Sequence, residues 1–330
     1  MTAWNRAVAV HLAGFVALLI WIPLCEAAQQ IEYPTRPIRL LVPSAPGASN
    51  DGIARVVSNG LSRSFDKPVV VDNRPGAGGI IASDVVARAA ADGHTLLFGY
   101  ATFTTTPFLQ PKLPYDSVKD FAPITEIANQ PLLLVVNPSV PVNTVKDLIA
   151  LCKAKPASLT AGYTQVGSAT HLATEIFKYK TDLTKSLLSV SYKGGAAAQI
   201  ALLSGEIQVA FSTTTAAMPQ VKTGKVRVIA TSAPKRLSYL PEVQTFGEAG
   251  IAGFEMGAWQ GLLAPAGTPR AIIDRLHSEI VKMLAETETR QRLAALGSDP
   301  VGSSPEEFRA KIQRELQEFG KIIRILGLKV

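Results

Sequence analysis

The sequence predicts an α/β fold built from two units of similar size. Two observations carry this reading. Apolar, strand-like runs alternate with segments of helical spacing from residue 38 onward, first as βαβαβ and then, after a pause, as a second alternating series. The chain, at 330 residues, is also longer than one small core needs.

The first strand is the apolar run Ile38–Val42. Pro43, Pro46 and Gly47 break it, and Ser49, Asn50 or Asp51 supplies a cap. Ile53, Ala54, Val56, Val57 and Leu61 then have helical spacing. A strand therefore delivers a Gly/Pro loop onto a helix start, where free N–H groups and the positive end of the helix dipole attract anions. An ordinary βα turn has the same pattern. A strand at 69–72, a helix at 80–91 and a strand at Thr95–Tyr100 follow, so a parallel sheet flanked by helices is expected. The intervening Asn73-Arg74-Pro75-Gly76-Ala77-Gly78-Gly79 is not G-x-G-x-x-G and follows the second strand, which argues against dinucleotide binding. Residues 101–123, rich in Thr and Pro, are expected to be irregular.

The second series opens with an apolar strand at 132–136 and a helix begun by Thr144 and Asp147 at capping-box spacing. Strands at 160–163, 187–190, 207–211 and 226–231 alternate with helices at 168–180, 195–203 and 215–222. A strand at 259–264 then leads to Thr268 as a cap and Pro269 at a first helical position, with Ile272, Ile273, Leu276 and Ile280 on one face. Ser304-Pro305-Glu306-Glu307 is a capping box ahead of a long amphipathic helix through Phe308, Ile312, Leu316, Phe319, Ile322 and Leu326. Two α/β units imply a cleft between them, a common place for a small ligand.

The N-terminus reads as an export signal: Arg6, an apolar stretch from Ala7 to Leu24, and an expected cleavage after Ala27 with Cys25 and Ala27 as the small residues. A membrane anchor is the alternative, since the run is nearly long enough to span. Lipidation at Cys25 is disfavoured by Leu24 before it. Cleavage removes one positive charge (Arg6) and one negative charge (Glu26), so the net charge stays at +7. The basic residues are scattered and not interleaved with aromatics, which speaks against nucleic acid as a partner. Cys152 remains as the sole cysteine, within the pattern Val145, Leu148, Ile149, Cys152; it reads as a core thiol, and neither an internal disulfide nor a cysteine metal cluster is expected.

There is no G-x-S-x-G and no H-E-x-x-H, and no catalytic residue, metal or cofactor is expected. His277 reads as solvated and His94 as a turn residue. His171 follows Gly167-Ser168-Ala169-Thr170 at a helix start and reads as an orienting or packing residue. A Ser168–His171 dyad, and with it a hydrolase, is the least favoured reading. This second helix start repeats the logic of the first. If the two face one another, they grip a two-ended anion through N–H groups, each bond to charged oxygen giving about 1.5–3 kcal/mol. On local sequence alone, two unrelated capped turns fit equally well.

From about Tyr33 to the C-terminus the chain resembles the periplasmic substrate-binding proteins of tripartite tricarboxylate transporters, the Bug family. The matching stretches are Tyr33-Pro34-Thr35-Arg36-Pro37-Ile38, the turn Val69 to Gly79, Ala91-Asp92-Gly93-His94-Thr95-Leu96-Leu97, Lys112-Leu113-Pro114-Tyr115-Asp116 and Lys119-Asp120-Phe121-Ala122-Pro123. Val136-Asn137-Pro138-Ser139-Val140-Pro141, Ser191-Tyr192-Lys193-Gly194, the run Gly261 to Pro269 and Pro305-Glu306-Glu307-Phe308 continue them in order. The resemblance implies a type II periplasmic binding fold, a Venus flytrap of two α/β domains joined by two crossover strands near 129–132 and 253–259. The expected domains are 28–130 with 254–330, and 131–253, after a signal peptide at 1–27.

The resemblance also implies an organic mono- or dicarboxylate held at Gly47, Ala48, Ser49, Asn50 and Asp51 in one domain and at Gly167, Ser168 and Ala169 in the other. Tyr100, His171, Ser212 and Trp259 complete the expected ligand-binding set. The implied protein is a monomeric periplasmic receptor, not an enzyme, that hands its ligand to inner-membrane permease subunits; a sensory co-receptor presenting the ligand to a membrane kinase is the alternative. Three positions depart from the family pattern: Ala48 where a second glycine is usual, Gln165 in place of glycine, and Ser212 where an Asp is frequent. Without that Asp a ligand ammonium lacks a counter-charge, so a carboxylate without a free amine, aromatic ones included, is expected rather than Asp or Glu.

Overall fold

The computed structural model describes residues 32–110, 112–237, 239–254 and 256–327; the leader at 1–27, with Cys25, lies outside the described residues. Its strands are β1 (Ile38–Val42), β2 (Val69–Asn73), β3 (Thr95–Tyr100), β4 (Phe121–Val136), β5 (Leu159–Tyr163), β6 (Leu187–Ser191), β7 (Val209–Thr213), β8 (Arg227–Thr231), β9 (Gly257–Pro265) and β10 (Asp299–Pro300). They form one sheet in the order β2-β1-β3-β9-β4-β7-β5-β6, with β8 and β10 also on β4. The helices are α1 (Ser49–Phe65), α2 (Ile80–Ala87), α3 (Thr102–Leu109), α4 (Val145–Ala154), α5 (Ala169–Lys180), α6 (Gly195–Ser204), α7 (Thr214–Lys222), α8 (Arg270–Ala285), α9 (Thr287–Ala295) and α10 (Pro305–Leu326).

The strand β4 organises the sheet. Its first part, through Pro131, pairs antiparallel with β9, while from Leu132 onward it pairs with β7 and β8. Each side of that change of partner is a half-sheet with apolar cores on both faces. In the first, Leu40, Leu96 and Leu262 pack with α1 and α8, and Leu41, Leu97 and Trp259 pack on the other side with α2, α3 and α10. In the second, Leu132, Leu134 and Phe211 pack with α4 and α5, and Leu133, Val135 and Ala210 with α6 and α7. Each fully buried Leu or Phe contributes about 1.5–3 kcal/mol. Ser232 ties the two strands that pass between the halves. Its N–H donates to the Leu132 carbonyl and its Oγ accepts from the Leu132 N–H, each at 2.8 Å, while the hydroxyl donates to the Met256 carbonyl.

Several sequence expectations change. The sheet is mixed rather than parallel: β1–β2, β1–β3, β5–β6 and β5–β7 are parallel, whereas β9 and β4 run antiparallel to their neighbours. The strand expected at 132–136 starts eleven residues earlier, at Phe121. Glu126, Asn129 and Gln130 interrupt its apolar pattern, and register shifts occur at Pro123/Thr125 and Glu126/Ala128. The stretch expected to be irregular contains α3. Helical spacing was hidden there by threonines, whose hydroxyls bond back within the helix (Thr104 to the Ala101 carbonyl, 3.0 Å; Thr105 to the Thr102 carbonyl, 3.2 Å). The Phe103 carbonyl, which Pro107 leaves without a helical donor, receives the Ser117 hydroxyl at 3.4 Å. The helix α2 ends at Ala87 rather than at 91, and Pro269 is the N-cap of α8 rather than its first helical residue. His277 is half-buried, with Nε2 lacking a partner, not solvated. Cys152 is buried in the second half as a core thiol.

Candidate functional site

The C-terminal ends of β1, β5 and β7 each deliver a short connection into a helix, α1, α5 and α7. This is the edge of an α/β sheet where ligands bind.

At the first, the N-cap of α1 is Ala48, with no side-chain cap bond, instead of the Ser49, Asn50 or Asp51 expected from sequence. The reason is that Asp51 turns back: its carboxylate accepts the Gly47 N–H (2.9 Å), Asn73 Nδ2 (2.9 Å) and Arg55 Nε (3.0 Å). Burial disfavours its charge, but the bonds from Arg55, Gly47 and Asn73 outweigh burial and hold the carboxyl below its ordinary range. The Asp51 side chain therefore shapes the loop and is not itself offered to a ligand. Gly47 takes φ +80°, a left-handed conformation that favours glycine. Among the described residues, the N–H groups of Ser49, Asn50 and Asp51 in the first turn have no partner. The Tyr100 hydroxyl donates to the Pro43 carbonyl (2.8 Å) and fixes the start of the loop. Ser44 Oγ and Gln260 Oε1 are buried without partners, and Gln260 Nε2 donates to Asn50 Oδ1 at 3.2 Å.

At the second, Ser168 caps α5 by accepting the His171 N–H (3.2 Å), and its hydroxyl joins Thr164 and Thr170 in a network with 3.0 Å separations. His171 Nδ1 accepts the Gly167 N–H at 3.0 Å, and its ring lies 4.2 Å from that of Tyr163. Burial pushes the imidazole below its ordinary value, which favours the neutral ring with its proton on Nε2. His171 thus braces the loop through Nδ1. The same geometry removes the dyad, because Ser168 meets the backbone of His171 and not its imidazole. The N–H groups of Ala169 and Thr170 have no partner among the described residues.

The third helix start follows Ser212, one of the residues expected at the site. Thr213 is the N-cap of α7, and Ser212 is buried just before it. Gln130, buried in β4 two residues before Leu132, where the partner changes, donates from Nε2 to the Leu296 carbonyl (2.7 Å). The same atom stands 3.4 Å from Ser49 Oγ and 3.5 Å from Thr215 Oγ1, so the starts of α1 and α7 both come within reach of it. The signal for it was a glutamine beside an otherwise apolar strand, since a buried amide needs partners. The second loop is joined to the first half by Thr105, whose hydroxyl donates to the Gly167 carbonyl (2.8 Å). Trp259 is a correction. It is fully enclosed, its Nε1 donating to Glu315 at 2.7 Å, on the face with α3 and α10. Strand alternation puts Gln260, not Trp259, beside α1.

A cavity of about 10 Å³, lined by Pro43, Gly78, Gly79, Tyr100 and Thr102, adjoins the first loop. A groove of about 830 Å³ has Ala169, the first residue of α5, in its lining. Among the described residues no His/Cys/Asp/Glu group is suited to a metal, and no helix is long and apolar enough to cross a membrane.

Residues 53–328 match the model of the tripartite tricarboxylate transporter family receptor. The protein BugT of Bordetella pertussis is 35% identical over 300 residues, covering 90% of this chain and 91% of that protein. An R. palustris protein solved with adipate superposes with a TM-score of 0.78 at 32% identity, over 91% of this chain and all of the other (100%). MatC from Rhodopseudomonas palustris, with bound malate, gives 0.74 at 29% identity over 88% of this chain and 100% of its own. The fold is that of periplasmic binding proteins, and the chain belongs to the tripartite tricarboxylate transporter receptor family, with Bug proteins among its relatives.

Proposed function

We propose that this protein is an exported, monomeric receptor that captures a small organic mono- or dicarboxylate between two lobes and delivers it to inner-membrane permease subunits. The lobes are 28–130 with 254–330, and 131–253, and a cleavable leader at 1–27 sends the chain to the periplasm. The observation that carries the reading is the set of unpartnered N–H groups at the starts of α1 and α5, one in each lobe, on loops already braced by Asp51 and His171. Such donors prefer ionised oxygen, and each bond adds about 1.5–3 kcal/mol. The structures of relatives with adipate and malate support the ligand class. Ligand binding shifts the lobes toward a closed arrangement by its differential affinity for it.

Ser212 offers no charge to an ammonium, so adipate and malate are expected to raise the melting temperature while aspartate does not. At a ligand concentration of about 100 times Kd the stabilisation is about 2.7 kcal/mol. Calorimetry with the same acids checks it. A tight response to aspartate alone rejects the amine-free class, and silence toward every small carboxylate rejects the receptor reading.

A further inference from the structure

We infer that Thr215 is a positioning residue for ligand capture, acting through a clasp with the Leu296 carbonyl that holds the lobes in the arrangement seen here. The inference rests on the two-lobe reading above. Thr215 lies in the first turn of α7 in one lobe, and its Oγ1–H donates to the Leu296 carbonyl of the other at 2.6 Å. Gln130, at the strand joining the lobes, donates to the same oxygen at 2.7 Å. Leu296 is the C-cap of α9, so the negative end of α9 meets the positive end of α7, a favourable pairing of dipoles across the lobes. The contact is close. At Gly297, with φ +65°, a Cβ would fall 2.4 Å from Thr215 Oγ1 and 2.9 Å from the Thr215 backbone N.

No residue of this clasp needs to touch the ligand. It stabilises the arrangement that places α1 and α7 side by side, and opening it separates them. The bound acid then escapes faster, because the closed liganded state is less populated.

The test compares Thr215→Val, which keeps the shape and removes the donor, with Thr215→Ser, which keeps the donor. Dissociation of adipate and malate is followed in each. Spin labels at Lys119→Cys and Ile200→Cys report the distance between lobes without ligand, while buried Cys152 stays unlabelled; the native side chains are 82% and 67% exposed. Thr215→Val is expected to speed dissociation by about five-fold, the effect of one hydrogen bond, and to lengthen the label distance, with the melting temperature lowered by no more than a few degrees. Thr215→Ser restores both. Gly297→Ala, which forces the clasp apart, lengthens the distance further. If neither dissociation nor distance responds to Thr215→Val, the clasp is rejected while the receptor reading stands. If the wild type binds no small carboxylate, the receptor reading fails, and the label distances still decide the clasp.

Discussion

The loops before α1 and α5 solve the same problem with different chemistry. Each contains a glycine in the left-handed region, Gly47 at φ +80° and Gly167 at φ +82°. Each glycine gives its N–H to the side chain four residues later, Asp51 in the first and His171 in the second. Both loops are thereby closed from within, and the N–H groups that follow have no partner among the described residues. The braces differ in charge. Asp51 is an ionised carboxylate paired with Arg55, whereas His171 is held neutral by burial. The second cradle therefore presents its N–H groups with no fixed charge on the brace, and the first presents them over a compensated ion pair. In the anion site proposed above, each backbone cradle rests on an internal acceptor, and the two acceptors respond to acid in different ranges.

The largest difference is expected from the glycines themselves. A Cβ at Gly47 meets nothing within 4 Å, so Gly47→Ala bears only the backbone cost of positive φ, about 1–2 kcal/mol. A Cβ at Gly167 falls 2.4 Å from Leu109 Cδ1 and 3.5 Å from Thr105 Oγ1. Gly167→Ala therefore adds a clash at the point where α3 touches the second loop, and the combined cost is about 2–4 kcal/mol. Denaturant unfolding and calorimetry with adipate should show Gly167→Ala as the more damaging in both stability and affinity. Equal effects would mean that the contact with α3 does not matter.

A smaller, pH-dependent difference follows from the braces. The folded pKa of His171 is lowered from 6.5, so the unfolded chain binds more protons just below that value. Its contribution to stability is complete above pH 6.5 and is lost as pH falls through the folded pKa. Asp51 is lowered from 3.8, and its contribution is lost only in stronger acid, below that value. Acid should loosen the second cradle before the first. Unfolding measured from pH 8 to 3 checks this, with His171→Gln expected to remove the upper step and leave the lower one. An upper step that survives His171→Gln would assign it to another histidine.

Much of this was legible beforehand because it is local. The capping boxes at Thr144 and Ser304 and the two strand–loop–helix units are written in short spacings, and they appear where expected. What was not legible depends on partners distant in sequence. Trp259 and Gln260 are adjacent, and only the register of β9 against β3 and β4 decides which side chain faces α1. The helix α3 was concealed by threonines that back-bond, and β4 by polar residues at the change of partners. Thr215 looked like an ordinary first-turn residue because its acceptor, Leu296, is 81 positions away. The apparent capping trio Ser49-Asn50-Asp51 misled for a related reason. The carboxylate that would cap α1 bonds Gly47, Asn73 and Arg55 instead.

The smallest expected effect sharpens the same comparison at the caps. Ser168 caps α5 with its hydroxyl, while Ala48 leaves α1 without a side-chain cap. Ala48 has φ −70° and ψ 159°, the extended backbone a capping serine adopts, so Ala48→Ser meets no conformational obstacle. The new hydroxyl would accept the N–H of Asn50 or Asp51 and stabilise α1 by about 0.5–1 kcal/mol. It would also withdraw a donor from the first cradle. Melting temperature should rise slightly while affinity for adipate falls, because one N–H can serve the cap or the carboxylate but not both. If Ala48→Ser raised stability and affinity together, that N–H would have no part in holding the ligand, and the remaining donors of Ser49 and its neighbours would have to account for the grip.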